Sequence, residues 1–222
     1  MKTLAFDTST KFLSVALLEN NDVRASYHED IGIRHGEILV PTIKDMLEKT
    51  GWKIEEIGLI CVGLGPGSFT GLRIAAATVK GFAAVLKNKV VGVPTMDAMI
   101  MNFRGTRRSA APLLDARKGK VYSCIYERRG EAFNRTTDYL LMTIDELLDT
   151  LNEKVVFFGD AIEKYRDKLN GHPLAEYTED IDWYPKAADL GCLGLERSRE
   201  GSDAPGTLAP LYLHARECNI SK

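Results

Sequence analysis

The feature that most restricts how this chain can fold is a repeat inside it. LAFDTSTKFLSVALLE, residues 4–19, lies over PLLDARKGKVYSCIYE, residues 112–127, without a gap, so that Asp7 falls on Asp115 and Glu19 on Glu127. Each copy reads as strand, polar turn, strand. The surroundings repeat as well. Residues 3–7, 12–18 and 23–28 read as strands, and a helix follows over 35–50, where Leu39, Ile43, Met46 and Leu47 recur at helical spacing before Gly51. Pro41 inside that pattern predicts a helix start near it or a kink. An apolar strand at 58–63, a helix to about Leu86, a strand at 90–93 and a helix at 95–103 complete the first half. In the second half, strands are expected at 112–115, at 121–126 and near 136–141. Thr143-Ile144-Asp145-Glu146 is a capping box that opens a helix. A strand at 155–158, a helix at 160–169 and a last helix from Pro185 end the pattern.

A βββαβα order that occurs twice predicts a duplicated α/β fold. Two such lobes facing each other across a cleft are the arrangement of the actin-like ATPase fold, here with a reduced C-terminal lobe. The boundary falls in the polar stretch 104–109, giving an N-terminal lobe over 1–105 and a C-terminal lobe over 106–222.

Composition excludes several classes. Lysine plus arginine number 29 against 31 acidic residues, a net charge of −2, which disfavours a strongly cationic nucleic-acid binder. No run approaches the roughly 18 apolar residues of a membrane span. Asp7 interrupts the first apolar stretch, so it fails as a secretory signal. The four cysteines, at 61, 124, 192 and 218, include no C-x-x-C pair. They read as reduced thiols, and a cytoplasmic protein is expected.

GLGPGSFTGLR, residues 63–73, is the densest local signal. Gly71 is followed by Leu72 and Arg73, so the lysine of a Walker loop is missing. A dinucleotide fingerprint needs glycine where Ser68 stands, and a nucleophile elbow needs glycine where Pro66 stands. The stretch fits a tight turn, with Ser68 or Thr70 capping the next helix and Phe69 as an anchor. That helix has few polar positions, chiefly Arg73, Thr78 and Lys80. A helix without a wet face is covered on more than one side, by its own domain or by a partner.

GPGSFTGLRI, the opening LAFDTS, LLDARKGKVY, FFGDA and the closing APLYL together resemble the TsaB family of bacterial tRNA threonylcarbamoyladenosine biosynthesis proteins, also called YeaZ-type and glycoprotease-like. The resemblance covers nearly the whole chain. It implies the actin-like fold and a non-catalytic scaffold that activates the TsaD-type paralogue in modifying adenosine beside the anticodon of ANN-reading tRNAs. It implies a heterodimer with that paralogue, a TsaE-type ATPase in a larger complex, and a homodimer when alone. Partner contacts are expected on the helices at 36–49 and 70–86, at Leu39, Ile43, Leu47, Leu72, Arg73, Ala75, Ala76, Val79, Lys80 and Ala83.

The paralogue's H-x-x-x-H metal pair corresponds here to His35-Gly36-Glu37-Ile38-Leu39, where leucine replaces the second histidine. No metal centre and no peptidase chemistry are expected. Asp7-Thr8-Ser9 takes the first phosphate-loop position of the fold, and Asp115-Ala116-Arg117-Lys118-Gly119 the second, without paired glycines. A degenerate nucleotide site is the expectation, with no cofactor required and ATP or ADP held only in complex with partners. The alternative is a nucleotide-binding phosphotransferase or ATPase of the same fold. Basic residues crowd 104–129, where tRNA, an acidic partner or a solvated strand edge all remain open.

Overall fold

The computed structural model describes residues 1–86, 88–204 and 208–213. His214 and Cys218 lie outside the described residues. The first lobe contains β1 (Lys2–Asp7), β2 (Phe12–Glu19), β3 (Asp22–Asp30), α1 (His35–Thr50), β4 (Leu59–Gly63), α2 (Phe69–Val85), β5 (Lys89–Val93) and α3 (Thr95–Ile100). Its sheet has the order β3-β2-β1-β4-β5. The β1–β2–β3 meander is antiparallel, while β1, β4 and β5 are parallel. Burial on both faces explains the unbroken apolar runs at residues 4–6 in β1 and 59–62 in β4. Leu4, Phe6, Leu13, Val15 and Leu17 pack with Leu39, Ile43 and Leu47 of α1 and with Ala75 and Val79 of α2.

The second lobe contains β6 (Ser109–Arg117), β7 (Lys120–Ser123), β8 (Tyr126–Arg129), β9 (Ala132–Arg135), β10 (Leu140–Thr143), α4 (Ile144–Asp149), β11 (Val155–Phe158), α5 (Ile162–Asn170), β12 (Ala175–Tyr177) and α6 (Ala187–Arg197). Its sheet runs β10-β7-β6-β11-β12, with the β8–β9 hairpin paired to β6. The capping box forms as read: Thr143 N–H donates to Glu146 Oε2 at 2.8 Å, and Glu146 N–H to Thr143 Oγ1 at 3.3 Å. The structure adds β9 and β12, which the sequence reading does not contain, and differs from it in local detail. The strand expected at 121–126 breaks into β7 and β8, because Ile125 N–H turns to Thr137 Oγ1 at 3.0 Å instead of continuing the ladder. Helix α1 starts at His35 and runs on through Pro41. That proline lies on the exposed side, where water can satisfy the Glu37 carbonyl that loses its helical donor.

The lobes are not separate at residue 106. Helix α6 belongs to the second half in sequence but packs on the first sheet, where Ala187, Leu190 and Leu195 cover Ala5, Ala16, Leu18, Cys61 and Val93. A Cβ at Gly194 would stand 2.2 Å from Cys61 Sγ, so the helix approaches closer than any side chain permits. Reciprocally, Met96, Met99 and Ile100 of α3 enter the core of the second lobe. Helices α1 and α2 cover only one face of the first sheet, so the other face takes its cover from the far half of the chain.

Candidate functional site

Three places follow from the sequence: the two loops at the phosphate positions and the pair α1–α2. The first loop leaves β1 at Asp7, which is fully buried, as is Thr8, while Ser9 is 2% exposed. Asp7 Oδ1 accepts from Ser9 N–H at 2.7 Å and Ser9 Oγ at 2.6 Å, and Oδ2 accepts from Thr95 Oγ1 at 2.7 Å. Burial pushes the Asp7 carboxyl above its ordinary value, and the Ser9 and Thr95 donors offset this only in part. The glycine-rich turn closes over the loop. Ser68 N–H donates to Ser9 O at 2.6 Å, and Thr8 Oγ1 donates to Gly71 O at 2.8 Å. Ser68, one of the two residues read for the cap, accepts from Gly71 N–H at 3.2 Å at the start of α2. Gly65 takes φ +85°, the left-handed angle expected of that turn. Thr95 holds Gly65 from the other side, with Gly65 N–H to Thr95 Oγ1 at 3.1 Å and Thr95 N–H to Gly65 O at 2.8 Å. Sequence reasoning missed Thr95, which reads only as the opener of α3 after Pro94. These residues do not fit a magnesium–phosphate group, because both Asp7 oxygens already serve the fold.

The second loop is a tight hairpin end. Arg117 pairs with Lys120, leaving a two-residue turn of Lys118 and Gly119 with φ +50° and +77°, the angles of a type I′ turn. A bulge at Ala116 shifts the register next to it. Such a turn offers no cradle of amides. Asp115 N–H donates to Asp160 Oδ1 at 2.9 Å, and Lys164 Nζ stands 3.4 Å from Asp115 Oδ1. Burial raises the Asp160 carboxyl, and the Asp115 charge adds to that. Across the cleft, Lys11 pairs with Asp30 at 3.2 Å and lies over the Tyr184 ring at 5.4 Å.

Helix α2 is half-covered. Only Gly71, Leu72, Ala75 and Val79 are buried. Phe69 is 52% and Val85 83% exposed, and Arg73, Ala77, Lys80, Gly81 and Ala84 also face outward. Helix α1 lies alongside: a Cβ at Gly36 would meet Ile74 Cδ1 at 3.6 Å. Val40, one turn on from Gly36, is exposed, and Ile33 ahead of α1 is 94% exposed. The C-terminal strap extends this surface. Leu211 N–H donates to Leu64 O at 2.8 Å, Tyr212 packs on Phe69 at 5.3 Å, and the Arg73 guanidinium covers Phe69 at 4.0 Å.

Six residues expected at a partner surface are corrected by this geometry. Leu39, Ile43, Leu47, Leu72, Ala75 and Val79 lie in the chain's own core. They form the stripe that faces the sheet, so no partner reaches them. Arg73 and Lys80 are exposed, and Ala76 and Ala83 are half-buried.

The basic stretch is largely paired. Arg107 binds Glu176 through two bonds of 2.8 Å, Arg108 and Arg129 both reach Glu127, and Arg128 donates to Gly105 O at 2.7 Å. His35 is buried with Nε2 3.2 Å from Phe12 O. Among the described residues no three His, Cys, Asp or Glu side chains converge as a metal site needs. No helix among them is long and apolar enough to cross a membrane.

The family model described as TsaD, tRNA N6-adenosine threonylcarbamoyltransferase, matches residues 22–220. The tRNA threonylcarbamoyladenosine biosynthesis protein TsaB of Bacillus subtilis is 27% identical over 228 residues, covering 98% of this chain and 96% of that protein. The protein of the same name from Escherichia coli is 35% identical over 131 residues, 58% of this chain and 56% of that one. Among solved structures, YeaZ from Pseudomonas aeruginosa superposes with a TM-score of 0.82 at 27% identity, over 96% of this chain and 99% of that one. The ethanolamine utilization protein EutJ from Carboxydothermus hydrogenoformans shares the fold alone, with a TM-score of 0.51 at 10% identity over 88% and 90% of the two chains. The two lobes thus form the actin-like ATPase fold, and the chain belongs to the tRNA N6-adenosine threonylcarbamoyltransferase family, within which it is of the TsaB/YeaZ type.

Proposed function

We propose that the chain works in the synthesis of threonylcarbamoyladenosine on tRNA as a non-catalytic subunit, binding and activating a TsaD-type threonylcarbamoyltransferase. The observation that carries this reading is the exposed apolar ridge of α2, Phe69, Ala77, Gly81, Ala84 and Val85, continued by Val40 and Ile33 at α1. Small residues along a helix let a second helix approach closely, and apolar surface left wet favours association. A heterodimer with the TsaD-type protein covers it, a homodimer covers it when that partner is absent, and a TsaE-type ATPase joins the larger complex. The assembly works in the cytoplasm. The non-catalytic role is supported by the two loops, since Asp7 is committed to internal hydrogen bonds and the second loop is a closed turn. No cofactor is required by the chain itself, and ATP or ADP binds only in the assembly.

The test is a binding measurement with the TsaD-type protein. Ala77→Arg and Gly81→Arg place a long cation on exposed positions of the ridge. Each is expected to lower affinity by more than tenfold without lowering the melting temperature by more than about 2 °C, as for a surface change that leaves the core alone. Full binding by both variants sinks the proposal. Heat on titration of the isolated chain with millimolar magnesium ATP, abolished in Asp7→Asn, would instead favour a phosphotransferase.

A further inference from the structure

The first phosphate-loop position is filled by the protein itself, and what fills it is the root of the helix that carries the exposed ridge. Three close approaches, one to the Asp7 carboxylate and two to backbone carbonyls, leave no room at this junction. A Cβ at Gly63 would stand 1.9 Å from Asp7 Oδ2, one at Gly67 2.3 Å from Ser9 O, and one at Gly71 1.9 Å from Thr8 O. The hydrogen bonds close a ring. Asp7 holds Ser9 and Thr95, Ser9 O takes Ser68 N–H, Thr95 holds Gly65, and Gly65 reaches Ser68 through the turn. Thr8 adds a bond to the helix itself, its hydroxyl donating at 2.8 Å to Gly71 O in the first turn of α2.

We infer that Asp7 and Thr8 are positioning residues for the docking face: the loop is a seat that sets the tilt of α2, and through it the fit of the ridge to the partner. The seat has leverage. The 17 residues of α2 make a helix about 25 Å long, so a tilt of about 5° at its root moves the far end by about 2 Å. A shift of that size takes the exposed Val85 out of register with any close-packed surface. This inference rests on the partner proposed above, although the seat itself is a property of the isolated chain.

Thr8→Val keeps the shape of the side chain and removes the donor, while Thr8→Ser keeps the hydroxyl. Two readouts are taken on the full chain: amide hydrogen exchange at residues 69–75 in the isolated protein, and the Kd for the TsaD-type protein by calorimetry. Thr8→Val is expected to speed exchange in that segment about tenfold and to weaken binding about five- to twentyfold, the scale of one lost buried hydrogen bond. Thr8→Ser is expected to match the wild type in both. Should Thr8→Val prove insoluble, Ser9→Ala loosens the same ring through Asp7 Oδ1 and is expected to give the same pattern at smaller amplitude. Unchanged exchange in Thr8→Val and Ser9→Ala overturns the seat. Faster exchange with unchanged Kd overturns its role in docking. A wild-type chain that does not bind the TsaD-type protein defeats the partner assignment, and faster exchange in Thr8→Val alongside that result still supports the seat.

Discussion

Asp7 shows how one residue type changes meaning with its surroundings. In a solvated loop its carboxylate can face a magnesium-bound water; here it is sealed and feeds three hydrogen bonds into the fold. Burial holds its folded pKa above the ordinary 3.8. The sign of the consequence follows from proton counting. Between the unfolded value and the raised folded value, the folded state keeps a proton that the unfolded state has lost, so stability falls as pH rises through that window and levels off above it. Glu127, held down by the Arg108 guanidinium, and Glu146, held down by Thr143 at the capping box, act in the opposite direction and lose their contribution as pH falls. Both remain in Asp7→Asn and cancel in a comparison. The stability difference between wild type and Asp7→Asn is therefore expected to shift against the wild type as pH rises from about 4. Its slope is at most about 1.4 kcal/mol per pH unit, the limit for one proton. Urea unfolding of both proteins at intervals from pH 4 to 8 measures it. A flat difference, or one that rises with pH, would contradict the assigned direction.

At the scale of elements, α2 carries two glycines that call for opposite outcomes. Gly71 faces the Thr8 carbonyl at a distance no Cβ tolerates, and a backbone oxygen has little freedom to withdraw. Gly71→Ala is expected to cost at least about 2 kcal/mol through overpacking. A methyl group at Gly81 would have open space around it, with nothing within 4 Å, so Gly81→Ala is expected to gain about 1 kcal/mol from helix propensity alone. Denaturant midpoints of the two variants decide the matter, and a Gly71→Ala protein as stable as wild type would mean that the turn is free to move off the loop. The same helix shows where the sequence was legible. Its start and its shortage of polar residues were plain, and the cap was narrowed to Ser68 or Thr70. Its facing was not, because alanine and glycine on every side blur the contrast between a dry stripe and a wet one. The series Leu72, Ala75, Val79 and the series Phe69, Arg73, Ala77, Gly81 are both at helical spacing. Only the sheet beneath selects the first for the core. The hairpin repeat read well because two apolar runs joined by a polar turn recur without a gap, whereas Thr95 gave no local sign of its bond to Asp7, 88 positions away.

At the scale of the whole molecule, the lobes are joined by exchange. Each ends in a helix that completes the other's core, α3 lending Met96, Met99 and Ile100 to the second lobe and α6 lending Ala187, Leu190 and Leu195 to the first. One carboxylate fastens the crossing. Asp97 on α3 accepts from Tyr126 OH at 2.6 Å and Tyr139 OH at 2.9 Å in the second lobe, and from Arg197 Nη2 of α6 at 2.6 Å. Removing it leaves the buried Tyr126 hydroxyl without its acceptor, which costs about 1–3 kcal/mol. A sharper test separates the lobes. A fragment of residues 1–105 keeps α1 and α2 but loses α6, so Ala5, Ala16, Leu18, Cys61 and Val93 on the other face of its sheet meet water. A fragment of 106–222 loses Met96, Met99, Ile100 and Phe103 from its core. Neither fragment is expected to show a cooperative thermal transition, and each is expected to bind a hydrophobic dye, since a sheet with one bare face lacks the burial that offsets chain entropy. Mixed, the two are expected to regain one transition and one set of protected amides, because the exchanged helices restore both cores together. A cooperative transition in 1–105 alone would show that the first lobe does not need the borrowed helix, and the molecule would then be two bodies on a hinge.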